Sequence, residues 1–445
     1  MNTKNNLLSG NVTKSMIFFA IPMILGNLLQ QFYNIADTLI VGRYLGKDAL
    51  AAVGSSYTLM VFLTSVILGL CMGSGAAFSI FYGAKKIDDL KTSFFISFVF
   101  IAIVAILINI TVIIAIDPII RLLQIPDSIL TETKDYLQII FLGILFTFLY
   151  NYFACLLRAL GDSVVPLIFL GLSAIMNIIL DIVFVIVIPL GVSGTALATV
   201  IAQGFSAIGI LLYIIRKEDF IRLERKHLHI EKELLQTILQ YSTITCLQQS
   251  IMNFGILMIQ GLVNSFGVIV MAAFSAAVKI DSFAYMPVQD FGNAFSTFIA
   301  QNYGAKNKRR IRQGIFSAIK ITVAFCLVIS AIVFIFAPYL MQIFVKANEV
   351  EVISVGVTYL RIEGACYCGI GCLFLLYGFY RAIDKPFMSV ILTIISLGTR
   401  VILAYTLAPI QSIGLLGIWW AIPIGWFLAD FIGVYRMRKI PNLLK

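Results

Sequence analysis

Two aspartates stand in stretches apolar enough to cross a membrane. Asp37 lies within residues 20–46, AIPMILGNLLQQFYNIADTLIVGRYLG, on a polar stripe of Asn27, Gln30, Gln31, Asn34, Asp37 and Thr38. Steps of three and four put all six on one face of a helix. Asp181 closes Met176-Asn177-Ile178-Ile179-Leu180-Asp181, and Asn177 shares its face. A carboxylate at the centre of a membrane helix costs about 2.5–3.5 kcal/mol on insertion scales, so an acid kept there points to function. Helix packing needs only one or two polar residues, fewer than this stripe supplies. At 1.5 Å per residue the depths of the two acids differ by less than about 10 Å. No Lys or Arg lies deep in any of the first six apolar segments to neutralise them. Low dielectric favours the neutral form of an acid, and a second acid nearby adds to this. Such a pair can hold a proton near neutral pH and release it when water enters, which is the chemistry of coupling to a proton gradient. The competing reading is that Asn and Gln neighbours satisfy each acid by hydrogen bonding.

The elements that must position these residues are membrane helices. The chain has 445 residues, 60% hydrophobic and only 12% charged, a composition no soluble domain of this size sustains. The apolar runs predict twelve helices, at about 15–42, 50–81, 93–116, 133–157, 164–188, 193–215, 235–264, 270–301, 314–337, 352–377, 387–408 and 413–435. Pro22, Pro287 and Pro423 fall inside them and are expected to kink them. The polar N-terminus shows no cleavage site ahead of a short apolar run, so the first segment is expected to stay in the membrane.

The formal charge of +10 could suggest nucleic acid, but its placement argues otherwise. Loops on one side hold 23 Lys or Arg and those on the other only five, which puts both termini in the cytoplasm. The seven cysteines all lie in apolar segments without a CxxC pair, so neither a disulfide framework nor a zinc site is expected. Cys366, Cys368 and Cys372 read as small residues at a helix contact. No metal and no cofactor is expected beyond a coupling ion.

The 216–233 stretch, RKEDFIRLERKHLHIEKE, is the one long polar segment between helices and holds both histidines. It divides the chain into a first bundle at 1–215 and a second at 234–445. The halves repeat. At an offset of 221, Tyr82-Gly83-Ala84-Lys85 meets the identical Tyr303-Gly304-Ala305-Lys306, and Gly46 meets Gly267. At an offset of 223, Tyr136-Leu137 meets Tyr359-Leu360, Arg158-Ala159 meets Arg381-Ala382, and Gly191 meets Gly414. Six helices per half is even, so the two halves enter the membrane in the same orientation. A parallel repeat of this kind suits alternating access about a midplane cavity.

The second half does not repeat the acids. In register, Asp37 meets Met258 and Asp181 meets Ala404. It carries instead Lys279, Asp281, Glu363 and Arg400. Two positive and two negative charges read as a structural ion-pair network, with a substrate or second ion site as the alternative. Arg158…Asp162 and Arg381…Asp384 read as structural turns.

Asn34-x-x-Asp37-x-x-x-Val41-Gly42, the Met176-Asn177-x-x-x-Asp181 motif, the repeated Tyr-Gly-Ala-Lys and the closing Gly417-Ile418-Trp419-Trp420-Ala421-Ile422-Pro423 together resemble the multidrug and toxic compound extrusion (MATE) family. The similarity runs over nearly the whole chain and is nearest the bacterial DinF-like branch. The resemblance implies a V-shaped pair of six-helix bundles, monomeric and without cofactor. Such a protein exports cationic or amphipathic drugs across the plasma membrane against entering protons, or sodium. It also implies a cation and drug site in the first bundle at Gln30, Tyr33, Asp37, Asn151, Asn177, Asp181 and Thr199, with Asn34 on the same stripe. Helix seven carries Gln249, Asn253, Gln260 and Asn264 but no acid, unlike the NorM-like branch, whose second-bundle sodium site uses one there.

Two other classes stay open. A lipid-linked sugar flippase shares the repeat architecture, but would be expected to line its first bundle with basic residues for pyrophosphate. A membrane aspartyl protease would need two acids about one water, and its Leu160-Gly161-Asp162 lies in a loop here.

Overall fold

The computed structural model of the chain describes residues 6–122, 129–217 and 222–440, and all the regular structure in them is helical. The helices are α1 (Val12–Ile40), α2 (Lys47–Gly83), α3 (Ile87–Ile114), α4 (Ile116–Leu122), α5 (Leu130–Leu142), α6 (Ile144–Ala159), α7 (Val164–Ile182), α8 (Gly191–Lys217), α9 (Lys232–Asn264), α10 (Val268–Gly304), α11 (Lys308–Phe344), α12 (Val350–Ala365), α13 (Tyr367–Ala382), α14 (Pro386–Leu407) and α15 (Leu415–Arg438). Among the described residues, ten spans are long and apolar enough to cross a membrane. The pairs α5–α6 and α12–α13, bent by 41° and 52°, bring the number to twelve when each is one span. Helices suit an apolar solvent because every backbone donor and acceptor is satisfied within the segment.

The repeat is visible in the backbone. Lys85 and Lys306, repeat equivalents, both adopt the left-handed conformation, at φ 58° and 55°. Each closes its helix the same way. Lys86 N–H donates to Phe81 O (3.0 Å) and Lys85 N–H to Tyr82 O (3.1 Å); Asn307 N–H donates to Asn302 O (2.9 Å) and Lys306 N–H to Tyr303 O (3.0 Å). This is the six-to-one closure that caps helix ends, and it explains why the tetrapeptide recurs. Gly161 and Asp384, at the offset of 223, are also left-handed, at φ 92° and 61°. The two helix breaks are equivalent as well, since Gly143 and Cys366 stand 223 residues apart.

Proline does not place the breaks. α1, α10 and α15 run on through Pro22, Pro287 and Pro423.

The described residues form two compact units, one within Ile21–Cys246, the other of Asn6–Ala20 and the residues from Leu247 onwards. The chain therefore changes unit inside α1 and inside α9, not at the 216–233 stretch. Side-chain packing is the reason. In the first unit, Ser74 and Ser242 share a 2.8 Å hydrogen bond between α2 and the first turns of α9. A Cβ on Gly73 would lie 2.3 Å from Tyr241 O, so only glycine lets α9 approach there. In the second unit, Arg310 of α11 donates to Leu7 O (2.9 Å), Gly10 O (2.7 Å) and Ser9 O (2.6 Å), holding the segment that leads into α1. Asn302 adds a bond to Leu7 O at 3.2 Å. Gly73→Ala is expected to cost about 1–3 kcal/mol, because the contact is with backbone that cannot rotate away. A thermal melt of the purified variant checks it, and an unchanged midpoint would show that α2 and α9 do not pack there.

The first unit is knit by an aromatic cluster of Phe78, Phe94, Phe98, Phe148 and Tyr152, and Tyr152 Oη donates to Phe94 O at 2.6 Å. Residues 218–221 of the polar stretch lie outside the described residues. Its His227 is buried, with Nε2 2.8 Å from Asp88 Oδ1 and Nδ1 accepting from Glu224 N–H at 3.0 Å. That bond to Nδ1 assigns the proton to Nε2, which donates to Asp88. The Asp88 carboxylate beside Lys226 also holds that ammonium above its usual range. The stretch is thus pinned to the first turn of α3. In the second unit, Phe274 stacks on Trp419 at 5.6 Å and Tyr359 meets the same ring edge-on at 4.8 Å. A Cβ on Gly371 would lie 2.7 Å from Thr322 and 2.8 Å from Cys326, so the cysteine-bearing helix does make its contact through small residues.

Candidate functional site

α1 carries Asp37 and α7 carries Asp181, and both helices widen into a single π turn just beyond their acid. The turns are Val41–Leu45 and Val183–Val187. The two wide turns pack against each other, which brings the acid-bearing ends of α1 and α7 into one place. A π turn within a helix frequently marks a functional site.

Asp181 is completely buried and Asn177 is 3% exposed. Asp37 is half-buried and lies within electrostatic reach of Asp181. Asn177 Nδ2 donates to Thr199 Oγ1 at 3.3 Å. The oxygens are left over. Both oxygens of Asp181, Oδ1 of Asp37 and Oδ1 of Asn177 are buried without a hydrogen-bond partner among the described residues. A buried acceptor without a donor costs about 1–3 kcal/mol, and more for a charged group. Four such acceptors in one place form a set that protons or a small cation would satisfy.

Tyr33, bonded to Gln30, stands within electrostatic reach of both acids. Asn34 is half-buried on the stripe and its carbonyl accepts from Thr38 Oγ1 at 2.8 Å. Asn151 turns back onto its own helix, donating to Thr147 O at 2.8 Å. The sequence reading missed Tyr136 of α5, which is 4% exposed and within reach of Asp37, Tyr33 and Asp181. The signal was present, because Tyr136 and Tyr359 are repeat equivalents inside apolar helices.

In the second unit the four charges do not form one network. Asp281 of α10 accepts from Tyr367 Oη, and Glu363 and Tyr359 of α12 lie against it. Arg400 of α14 faces both acids. Glu363 and Tyr367 stand four residues apart, on either side of the 52° bend at Cys366, and both reach the same carboxylate. Lys279 is exposed and lies over the Phe344 ring, 5.9 Å from its centre. The reason is helical phase. Lys279 and Asp281 are two residues apart on α10 and so point about 200° apart around the axis.

Glu363 is buried and hydrogen-bonded to Asp281, and a buried polar group that loses its partner costs about 1–3 kcal/mol. Glu363→Gln is therefore expected to lower the thermal midpoint and to leave the coupling ion unchanged. A variant as stable as the wild type but with a changed ion preference would move coupling into this unit.

The two carboxylate sites occupy related positions. Asn177 and Arg400 stand 223 residues apart, as do Tyr136 and Tyr359. Where the second unit holds a resident cation facing its acids, the first holds a neutral amide.

The MatE family model matches residues 22–183 and 232–406. The chain is 32% identical over 391 residues to a probable multidrug resistance protein, YpnP, of Bacillus subtilis, covering 87% of this chain and 86% of that protein. It is 26% identical to the multidrug export protein MepA of Staphylococcus saprophyticus, covering 96% and 94%. A solved structure described as the outward-facing conformation of a multidrug resistance MATE family transporter of the MOP superfamily superposes with a TM-score of 0.93. It covers 99% of both chains at 24% identity, a likeness of fold.

Proposed function

Since the chain belongs to the MATE family, we propose that it is a secondary multidrug exporter. It would move cationic or amphipathic compounds out across the plasma membrane in exchange for entering protons. Asp37 and Asp181 carry the coupling, supported by Asn177 and Thr199, and Gln30, Tyr33, Asn34 and Tyr136 line the approach. The observation that carries this reading is the set of four unpartnered acceptor oxygens on Asp37, Asn177 and Asp181.

The contrast between the units supports the same reading. Arg400 stands within electrostatic reach of Asp281 and Glu363, although Arg400 Nε, Asp281 Oδ2 and Glu363 Oε2 also lack a hydrogen-bond partner among the described residues. The acids of the first unit face Asn177 at that register, so their compensation must come from outside the chain and can leave again. A proton bound there neutralises the site; a cationic drug arriving nearby favours the ionised form and expels the proton. Binding of drug and of proton then exclude one another, which is the condition for exchange. The basic loops support cytoplasmic termini, and we read the working unit as a monomer.

Sodium is the second reading, supported by the carboxylate and amide oxygens left without a partner and by the Thr199 hydroxyl beside Asn177. Dye efflux from everted vesicles, with proton and sodium gradients imposed separately, distinguishes the two. The proposal expects the proton gradient alone to drive efflux. Efflux driven by sodium alone would assign the acceptors to that ion, and efflux driven by neither would refute both.

A further inference from the structure

A second binding site lies at the cytoplasmic start of α11, in the second unit and well separated along the chain from the acids. Arg309, Arg312, Phe316 and Lys320 follow one another at steps of three and four and share one face of the helix. They line an open groove of about 490 Å³. All three cations are exposed, and none of them pairs with an acid among the described residues. No carboxylate lines the groove; its other polar wall is Gln313 with Thr13 and Ser317, whose hydroxyls are 2.6 Å apart.

The positive-inside preference accounts for Arg309 and Arg312, close to the end of the helix. It does not account for Lys320, which lies eight residues beyond Arg312, about 12 Å further along the axis. An ammonium at that depth is costly unless its stem reaches back towards the headgroups. Phe316 lies between Arg312 and Lys320 in that row, 57% exposed, an apolar surface flanked by positive charge on both sides. A ligand that fits this arrangement has an anionic head and an apolar body.

We propose that the groove binds one anionic phospholipid of the cytoplasmic leaflet. Its phosphate lies among Arg309, Arg312 and Lys320, with a hydrogen bond from Gln313, and an acyl chain lies along Phe316 and Ile321. Basic pockets between membrane helices on the cytoplasmic side are suited to such headgroups. Because Thr13 of α1 forms part of the wall through Ser317, a bound lipid also braces the first turn of α1 against α11.

The test uses the full chain purified in mild detergent and exposed to equal amounts of phosphatidylglycerol and phosphatidylcholine. Native mass spectrometry counts the lipid retained. The wild type is expected to retain one phosphatidylglycerol in preference to phosphatidylcholine. Retention should fall at least about tenfold, the equivalent of about 1.4 kcal/mol, in Arg312→Gln/Lys320→Gln. Lys320→Arg keeps the charge and should restore retention, which separates lost binding from lost folding. Raising the salt concentration on the wild type should weaken retention without any mutation. Equal retention of the two lipids, or retention unaffected by Arg312→Gln/Lys320→Gln, would overturn the proposal. So would displacement of the lipid by millimolar inorganic phosphate, which would make the groove a site for free anions.

Discussion

Asp181→Asn is expected to abolish uphill drug export while leaving a folded, membrane-inserted protein. Asn preserves the size of the side chain and adds a donor beside Asn177 Oδ1, which has no partner in the wild type. The fold should therefore tolerate it, because a buried carboxylate without donors is itself a cost. What is lost is titration. An amide takes up no proton in this pH range, so the site can no longer alternate between neutral and charged. One pH unit across the membrane is worth about 1.4 kcal/mol per proton, roughly a tenfold gradient of drug for each proton exchanged. Two titrating acids working together would sustain about a hundredfold gradient of a neutral drug per pH unit. Everted-vesicle efflux at matched expression reads this directly. Wild-type accumulation by Asp181→Asn would reduce Asp181 to a packing residue. Asp37→Asn should lose export in the same way; if only one of the two variants does, the acid replaced in that variant alone cycles a proton.

Voltage should drive export of a monovalent cation by the wild type. Exchange of one proton for a monovalent cation moves no net charge. Exchange of two protons moves one charge inwards, and 100 mV then contributes about 2.3 kcal/mol. That supports about a fiftyfold further gradient. Transport of a monovalent cationic dye in vesicles held at zero pH difference, with a potassium diffusion potential imposed, is therefore expected to follow the potential. A transport rate indifferent to the potential would mean one proton per cycle and would require a different role for Asp37 or Asp181.

The acids, the polar stripe and the repeat were legible because each is a matter of residue type at fixed spacing. Asp37 and Asp181 stand out in apolar runs, and the Tyr-Gly-Ala-Lys repeat marks a turn whose left-handed lysine both halves keep. The bends at Gly143 and Cys366 were not legible. Neither is at a proline, and the residues there, a glycine and a cysteine, recur elsewhere inside unbroken helices. Glu363 and Tyr367 are four residues apart and so share a face, but nothing in the sequence places Asp281, more than eighty residues earlier on another helix, against them. Lys279 was misplaced for the converse reason: counting charges per helix ignores the direction in which they point. The change of unit inside α1 and α9 depends on Arg310 and on the glycines of α2, contacts between residues far apart in sequence. Tyr136 could have been found, since a tyrosine kept at the same register of both halves is an unusual investment for lipid-facing helices.

The account rests on competition between drug and proton for the acceptors on Asp37, Asn177 and Asp181. Its most direct test is proton release by the purified protein in weakly buffered, sodium-free solution when a cationic drug is added. The account predicts release of protons on binding by the wild type, reduced or absent in Asp181→Asn. Drug binding that releases no proton and appears only when sodium is present would contradict it.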